Sequence, residues 1–193
     1  PGAPSREVIP APAGYLASPD KLPGLFLRGK VAYLFQRYCA EQELTSMLLC
    51  IAGGNQEVRT LPTMVKEWID ISHGPEAPDR AQNQTALFLV LTKFDAEFEE
   101  KAGQAESSES KWTVRLNASL LDFFAKAHAW PKEWLPGRPF DNTFWLRNPN
   151  VKAKHILDYD PEGAETGIRA SEAGRLARMR AEYTGNPVGR RHF

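Results

Sequence analysis

The four residues Thr92-Lys93-Phe94-Asp95 carry the most specific chemistry in this 193-residue chain. They follow Ala86 to Leu91, an uninterrupted apolar run with the length of a buried strand. A carboxylate two residues past a lysine can accept two hydrogen bonds, from the N1 and N2 donors of guanine. That pairing is charge-assisted and geometrically selective. Adenine has no such donor pair and would leave the carboxylate unmatched. The Lys93 stem can lie across the base plane with its ammonium near the ribose or a phosphate-loop oxygen. The competing reading makes Asp95 an ordinary N-cap for a helix that follows.

Thr-Lys-Phe-Asp fits the Asn/Thr-Lys-x-Asp pattern with which GTPases read their base. A phosphate loop is the natural companion. Gly24-Leu25-Phe26-Leu27-Arg28-Gly29-Lys30-Val31 nearly matches one, but a Pro-rich segment precedes it instead of a strand, and Val31 replaces the magnesium-binding hydroxyl. It reads better as a helix start. No other Gly-Lys-Ser/Thr occurs, so a phosphate loop would have to lie upstream of residue 1. Pro1-Gly2 then reads as the end of an Asp-x-Pro-Gly element, with Gly2 facing the γ-phosphate. Glu97, Glu99, Glu100 and Asp122 read as solvated helix faces. The five tryptophans read as core and loop anchors. Arg169, Arg175, Arg178, Arg180, Arg190 and Arg191 form a local basic excess that reads as a solvated face or a contact.

The elements that must position these residues alternate. Residues 1–24 hold six prolines and three glycines and read as loop. Leu25 to Gln42 reads as a helix, with Val31, Leu34, Phe35 and Tyr38 on one face. Ser46 to Ala52 reads as a strand, apolar on both faces, as in the middle of a parallel sheet. Pro62 to Ile71 reads as a helix and Ala86 to Leu91 as the second strand. A helix is expected from Asp95 to Lys101, then an exposed loop, Gly103 to Ser110. Trp112, Leu116, Leu120 and Phe124 step by four along a further helix. Thr143 to Leu146 is the third strand, and Glu162 to Tyr183 a polar helix. The expected fold is therefore α/β, a three-layer α/β/α arrangement of parallel strands. Ligands in such sheets bind beyond the C-terminal strand ends, here Ala52–Asn55, Thr92–Asp95 and Arg147–Asn150.

Lys plus Arg equals Asp plus Glu, 24 each, so net charge gives no reason to expect nucleic acid. Cys39 and Cys50 form no Cys-x-x-Cys pair, which favours a reducing cytoplasm over a disulfide framework. No apolar run reaches membrane-spanning length.

Leu27–Tyr38 (LRGKVAYLFQRY), Asn55–Pro62 (NQEVRTLP), Leu89–Gly103 (LVLTKFDAEFEEKAG) and Pro139–Asn150 (PFDNTFWLRNPN), in this order, resemble the SrfC-like family of bacterial virulence factors. Pro1–Glu7 and Glu162–Arg169 extend the likeness over nearly the whole chain. The resemblance implies a P-loop GTPase-like domain, distantly similar to dynamin-like GTPases, of which this chain is the C-terminal part. It implies that Gly2, Thr92, Lys93 and Asp95 face the nucleotide. It places Asn148 where GTPases make a backbone contact to the guanine carbonyl, although the usual Ser-Ala-Lys is absent. GTP or GDP with magnesium would be ligands of the intact protein, and the isolated chain would hold none. Expected partners are guanine nucleotide and protein, either other proteins or the remaining domains. The division is a loop at 1–24, a GTPase-like region at 25–157, and a polar helix and tail at 158–193. A non-catalytic interaction scaffold and an unrelated α/β enzyme are the rival readings. A half domain would leave a raw sheet edge, which predicts self-association of the isolated chain.

Overall fold

A computed structural model describes residues 11–53, 60–98, 111–148, 150–186 and 188. Gly2, the Gly103–Ser110 loop and nearly all of the tail after Asn186 lie outside the described residues. The elements run α1 (Pro12–Leu16), α2 (Leu22–Ala40), β1 (Met47–Ile51), α3 (Leu61–Ser72), α4 (Ala77–Arg80), β2 (Leu87–Leu91), α5 (Lys111–Leu116), β3 (Thr143–Trp145), β4 (Leu157–Tyr159), β5 (Glu165–Ile168) and α6 (Ala173–Gly185).

β1, β2 and β3 form a parallel sheet in that order, with Leu49 opposite Leu89 and Leu89 opposite Thr143. The expected mixed α/β class and parallel strands are present. Period-two geometry sorts their side chains onto two faces. Leu49, Ile51, Leu87, Leu89, Leu91 and Thr143 are buried on one face. Val65, Trp68 and Ile69 of α3 and Trp112 and Leu116 of α5 belong to the same core. On the other face Leu48 and Phe144 are exposed, 64% and 41%, beside exposed Cys50.

Three expectations are corrected here. Among the described residues β1 lies at the edge of the sheet, not in its middle, and one of its two apolar faces is open. Among the described residues the layers therefore gather on one face of the sheet. The Pro-rich start carries helix: α1 begins on a proline, and α2 starts at Leu22 with Pro23 in its first turn. Proline costs nothing there, because first-turn N–H groups have no intrahelical partner. The polar helix predicted over Glu162 to Tyr183 is shorter, and Glu165–Ile168 instead pairs antiparallel with Leu157–Tyr159. Asp160 organises the intervening turn: its carbonyl accepts from Gly163 N (3.0 Å) and its Oδ1 from Ala164 N (2.7 Å). Gly163, at φ +91°, supplies the left-handed residue that turn requires.

The Trp112–Phe124 stripe is buried as predicted, although α5 passes into a π-helical turn at Asn117–Leu121. Behind it, Trp130, Trp134 and Phe140 meet edge to face at centroid distances of 5.1–6.0 Å, and Phe124 meets Trp130 in a tilted contact at 5.5 Å. Buried His73 ties α3 to this cluster and to β2. Its Nε2 accepts from Ala86 N–H (2.9 Å), so its Nδ1 carries the proton toward Ser72 Oγ (2.7 Å). Burial, reinforced by nearby Arg80, holds the His73 pKa below its ordinary value. The neutral ring is the native form. Its contribution is complete above the unfolded-state pKa and is lost as pH falls through that value toward the folded one. The melting temperature should therefore drop between pH 7.5 and 5.5. The drop should be smaller in His73→Gln, whose amide oxygen still accepts from Ala86. An equal drop in both proteins would remove His73 from the account.

Candidate functional site

The C-terminal ends of the three strands are locked to one another by backbone hydrogen bonds. Thr92 N–H donates to Ile51 O (2.9 Å), Leu146 N–H to Leu91 O (2.9 Å) and Phe94 N–H to Leu146 O (3.1 Å). Buried Arg115 adds a side-chain staple: its Nη2 donates to Ile51 O (2.9 Å), the last carbonyl of β1, and to Thr92 O (3.3 Å), just beyond β2. Its Nε stands 3.7 Å from Glu97, and a Cβ at Gly53 would come within 3.3 Å of its Nη1. Sequence reading missed Arg115 because it sits on a helical stripe that otherwise reads as core.

Phe94, the variable position of the Thr-Lys-Phe-Asp run, is fully buried. It stacks on Trp145 of β3 at 4.1 Å and meets Phe98 and Trp112 at 6.1 Å. Trp145 in turn donates from Nε1 to Tyr183 Oη (3.0 Å), and burial raises the Tyr183 pKa to about 12. A chain of aromatic contacts from the last helix through β3 thus fixes the loop after β2. With Phe94 pinned inward, Lys93 is left exposed and Asp95 turns toward the end of β3.

Lys93 adopts φ 55°, ψ 37°, the left-handed region, and its side chain is exposed. Glycine or asparagine would occupy that conformation more cheaply. Lys93→Gly should therefore stabilise the fold by roughly 1 kcal/mol, visible as a higher denaturant midpoint. A loss of stability would show that the lysine stem packs productively in the absence of ligand.

Asp95 lies inside a short 3-10 turn, Phe94–Glu97, rather than at the start of the predicted longer helix. Its carboxylate does not cap that turn. Both oxygens accept from Asn148 N–H across the gap to β3, at 3.0 and 3.2 Å. The helix-capping reading is therefore set aside. Asn148 Oδ1 accepts from Asn150 N–H (3.0 Å), which shapes the loop after β3. The Thr92 carbonyl, Lys93, Asp95 and Asn148 are thus brought together at adjacent strand ends.

Arg147 completes the cluster. Its Nη2 and Nη1 donate to Glu165 of β5 (2.7 and 3.4 Å), while its Nε stands 3.6 Å from Asp95 Oδ1. Its guanidinium also lies 5.1 Å from the Phe98 ring centroid. Burial pulls the Arg147 pKa down, but Glu165 and then Asp95 outweigh it and the net shift is upward. A shallow cavity of about 290 Å³ is lined by Arg147, Gly163, Ala164 and Glu165. Periodicity places Glu165 in a helix, whereas its pairing with β4 brings it here on a strand.

A family match spans residues 1–193, the entire chain. The chain belongs to the family described as "Putative bacterial virulence factor". Neither the curated proteins nor the solved structures contain a match to it. Family membership does not itself assign a ligand, so the chemistry of the site rests on the residues above. Among the described residues, no three His, Cys, Asp or Glu side chains are grouped to hold a metal ion. No helix among them is long and apolar enough to cross a membrane.

Proposed function

We propose that the chain supplies the base-reading part of a guanine-nucleotide-binding, GTPase-like domain in a SrfC-like protein, the phosphate-holding part lying elsewhere in the intact molecule. One observation carries the reading: the Asp95 carboxylate and the Asn148 N–H are paired with each other across the strand ends. An acceptor and a donor held side by side match the guanine edge. Guanine O6 would accept from Asn148 N–H, and N1–H and N2–H would donate to Asp95. Each group exchanges one satisfied hydrogen bond for another, so opening the pair leaves nothing buried and unpaired. Adenine would set its N6 donor against the Asn148 donor and its N1 acceptor against the carboxylate. The left-handed backbone of Lys93 supports the same reading, because strain is retained where a side chain serves a ligand.

GTP or GDP would be the ligand. Magnesium would have to be held by groups outside the described residues, and no step of hydrolysis is assigned to those residues. The test uses the intact protein, nitrogen-15-labelled, and millimolar GMP or AMP. GMP should move the Asn148 amide resonance in a saturable way, and AMP should not. Equal responses, or none with GMP, would overturn the proposal.

A second reading, a nucleotide-free scaffold, draws on the open sheet face with exposed Leu48, Phe144 and Leu146. Exposed contiguous apolar surface favours contact with another protein surface. It predicts no response of Asn148 to either nucleotide.

A further inference from the structure

The β4–β5 hairpin is not needed to build the sheet, yet it delivers a carboxylate to the strand ends. Packing and hydrogen bonds hold it in place. Ile156 and Leu157 are buried at its base, and Tyr159 Oη accepts from Ala153 N–H at 2.9 Å. The Asp160–Ala164 turn is closed by its own hydrogen bonds. Glu165 therefore arrives at Arg147 from a fixed scaffold, while its own side chain is 41% exposed.

The division of Arg147's contacts is unequal. Both terminal nitrogens are hydrogen-bonded to Glu165, whereas Nε is buried and has no hydrogen-bond partner among the described residues. Its separation of 3.6 Å from Asp95 is beyond hydrogen-bond range but close enough to compensate charge. The Asp95 carboxylate is thus neutralised at a distance without spending its lone pairs on the guanidinium. Without Glu165, the Arg147 fork would find its nearest carboxylate in Asp95. A bidentate arginine–carboxylate pair would then occupy both oxygens.

We infer that Glu165 is a positioning residue for base selection. It holds the Arg147 guanidinium off Asp95, keeping that carboxylate open to a guanine edge. The inference rests on the base-reading proposal above and adds to it a residue that never touches the ligand.

The test measures GDP affinity of the intact protein in a double-mutant cycle. Glu165→Ala should weaken GDP binding about tenfold. Glu165→Gln, which keeps one oxygen acceptor for Arg147, should lose less. In an Arg147→Met background there is no fork to restrain, so Glu165→Ala should then change GDP affinity by less than about twofold. A structural role for the hairpin would instead weaken binding equally in both backgrounds, and that result would overturn the inference. So would an unchanged affinity in Glu165→Ala alone. If the unmutated protein failed to prefer GDP over ADP, the base-reading proposal and this inference would fall together. Because the Glu165 side chain is 41% exposed, the melting temperatures of Glu165→Ala and Glu165→Gln should stay within a few degrees of the parent's.

Discussion

Asp95→Asn should exchange guanine preference for xanthine preference in the intact protein. The asparagine oxygen can still accept from N1–H and from Asn148 N–H, so the strand ends remain joined. Its amide nitrogen, however, sets a donor against the guanine N2 donor. Xanthine carries a carbonyl at that carbon and would accept from the new amide. A site built around hydrogen bonds penalises the mismatched analogue heavily, so GTP affinity should fall roughly 100-fold or more. XTP should bind more tightly than GTP to the variant, and the order should be reversed in the parent. Loss of binding to both nucleotides, with fold retained, would mean that Asp95 positions the loop without reading the base. Asp95 is only 12% exposed and has the Arg147 charge 3.6 Å away, so a melting curve must accompany the titration.

The largest effect on stability should come from Arg80, well away from the strand ends. The residue is buried at 4% exposure, and among the described residues no carboxylate lies within salt-bridge distance of its guanidinium. Instead it donates to four backbone carbonyls: Trp134 O (2.8 Å), Pro75 O (2.7 Å), Glu133 O (2.7 Å) and Gly74 O (3.4 Å). It also lies 5.4 Å from the Trp134 ring centroid. The residue joins the short α4 segment to the tryptophan-rich loop before β3. Arg80→Met would fill much of the same volume but leave those carbonyls without their donor. The expected loss is about 3 to 4 kcal/mol, because each charged-donor hydrogen bond is worth more than a neutral one and the acceptors are partly buried. Arg80→Lys should recover less than half, since a single ammonium cannot reach both sides of the contact. Urea denaturation followed by tryptophan fluorescence would measure both. A loss below about 1 kcal/mol for Arg80→Met would show that water replaces the guanidinium at little cost.

The legible and illegible parts of this molecule divide along physical lines. β2 could be read because it is a continuous apolar run closed by Thr92 and Lys93, and its three inward leucines are fully buried. The Trp112, Leu116, Leu120 and Phe124 stripe was equally plain, since all four face one core. What the run after β2 could not disclose was the role of its variable residue. Phe94 acquires its meaning only from Trp145, which is 51 positions away. The hairpin carried a local signal that periodicity obscured. Asp160-Pro161-Glu162-Gly163 is turn chemistry between two short strand-like segments, but the arginine-rich stretch beyond it extends a helical pattern backward. Glu165, Arg115 and Arg80 were out of reach for a different reason. Each is an ordinary charged residue whose partners are backbone groups or charges brought near by tertiary folding. The β1 error has the same origin: an apolar strand announces that it can be covered on both faces, not that it is.

The most direct test of the central claim is a titration of labelled GTP and ATP against the intact protein and its Asp95→Ala and Asp95→Asn variants. The account predicts tight GTP binding over ATP in the parent protein and loss of that preference in both variants. Guanine preference that survives both substitutions would contradict it.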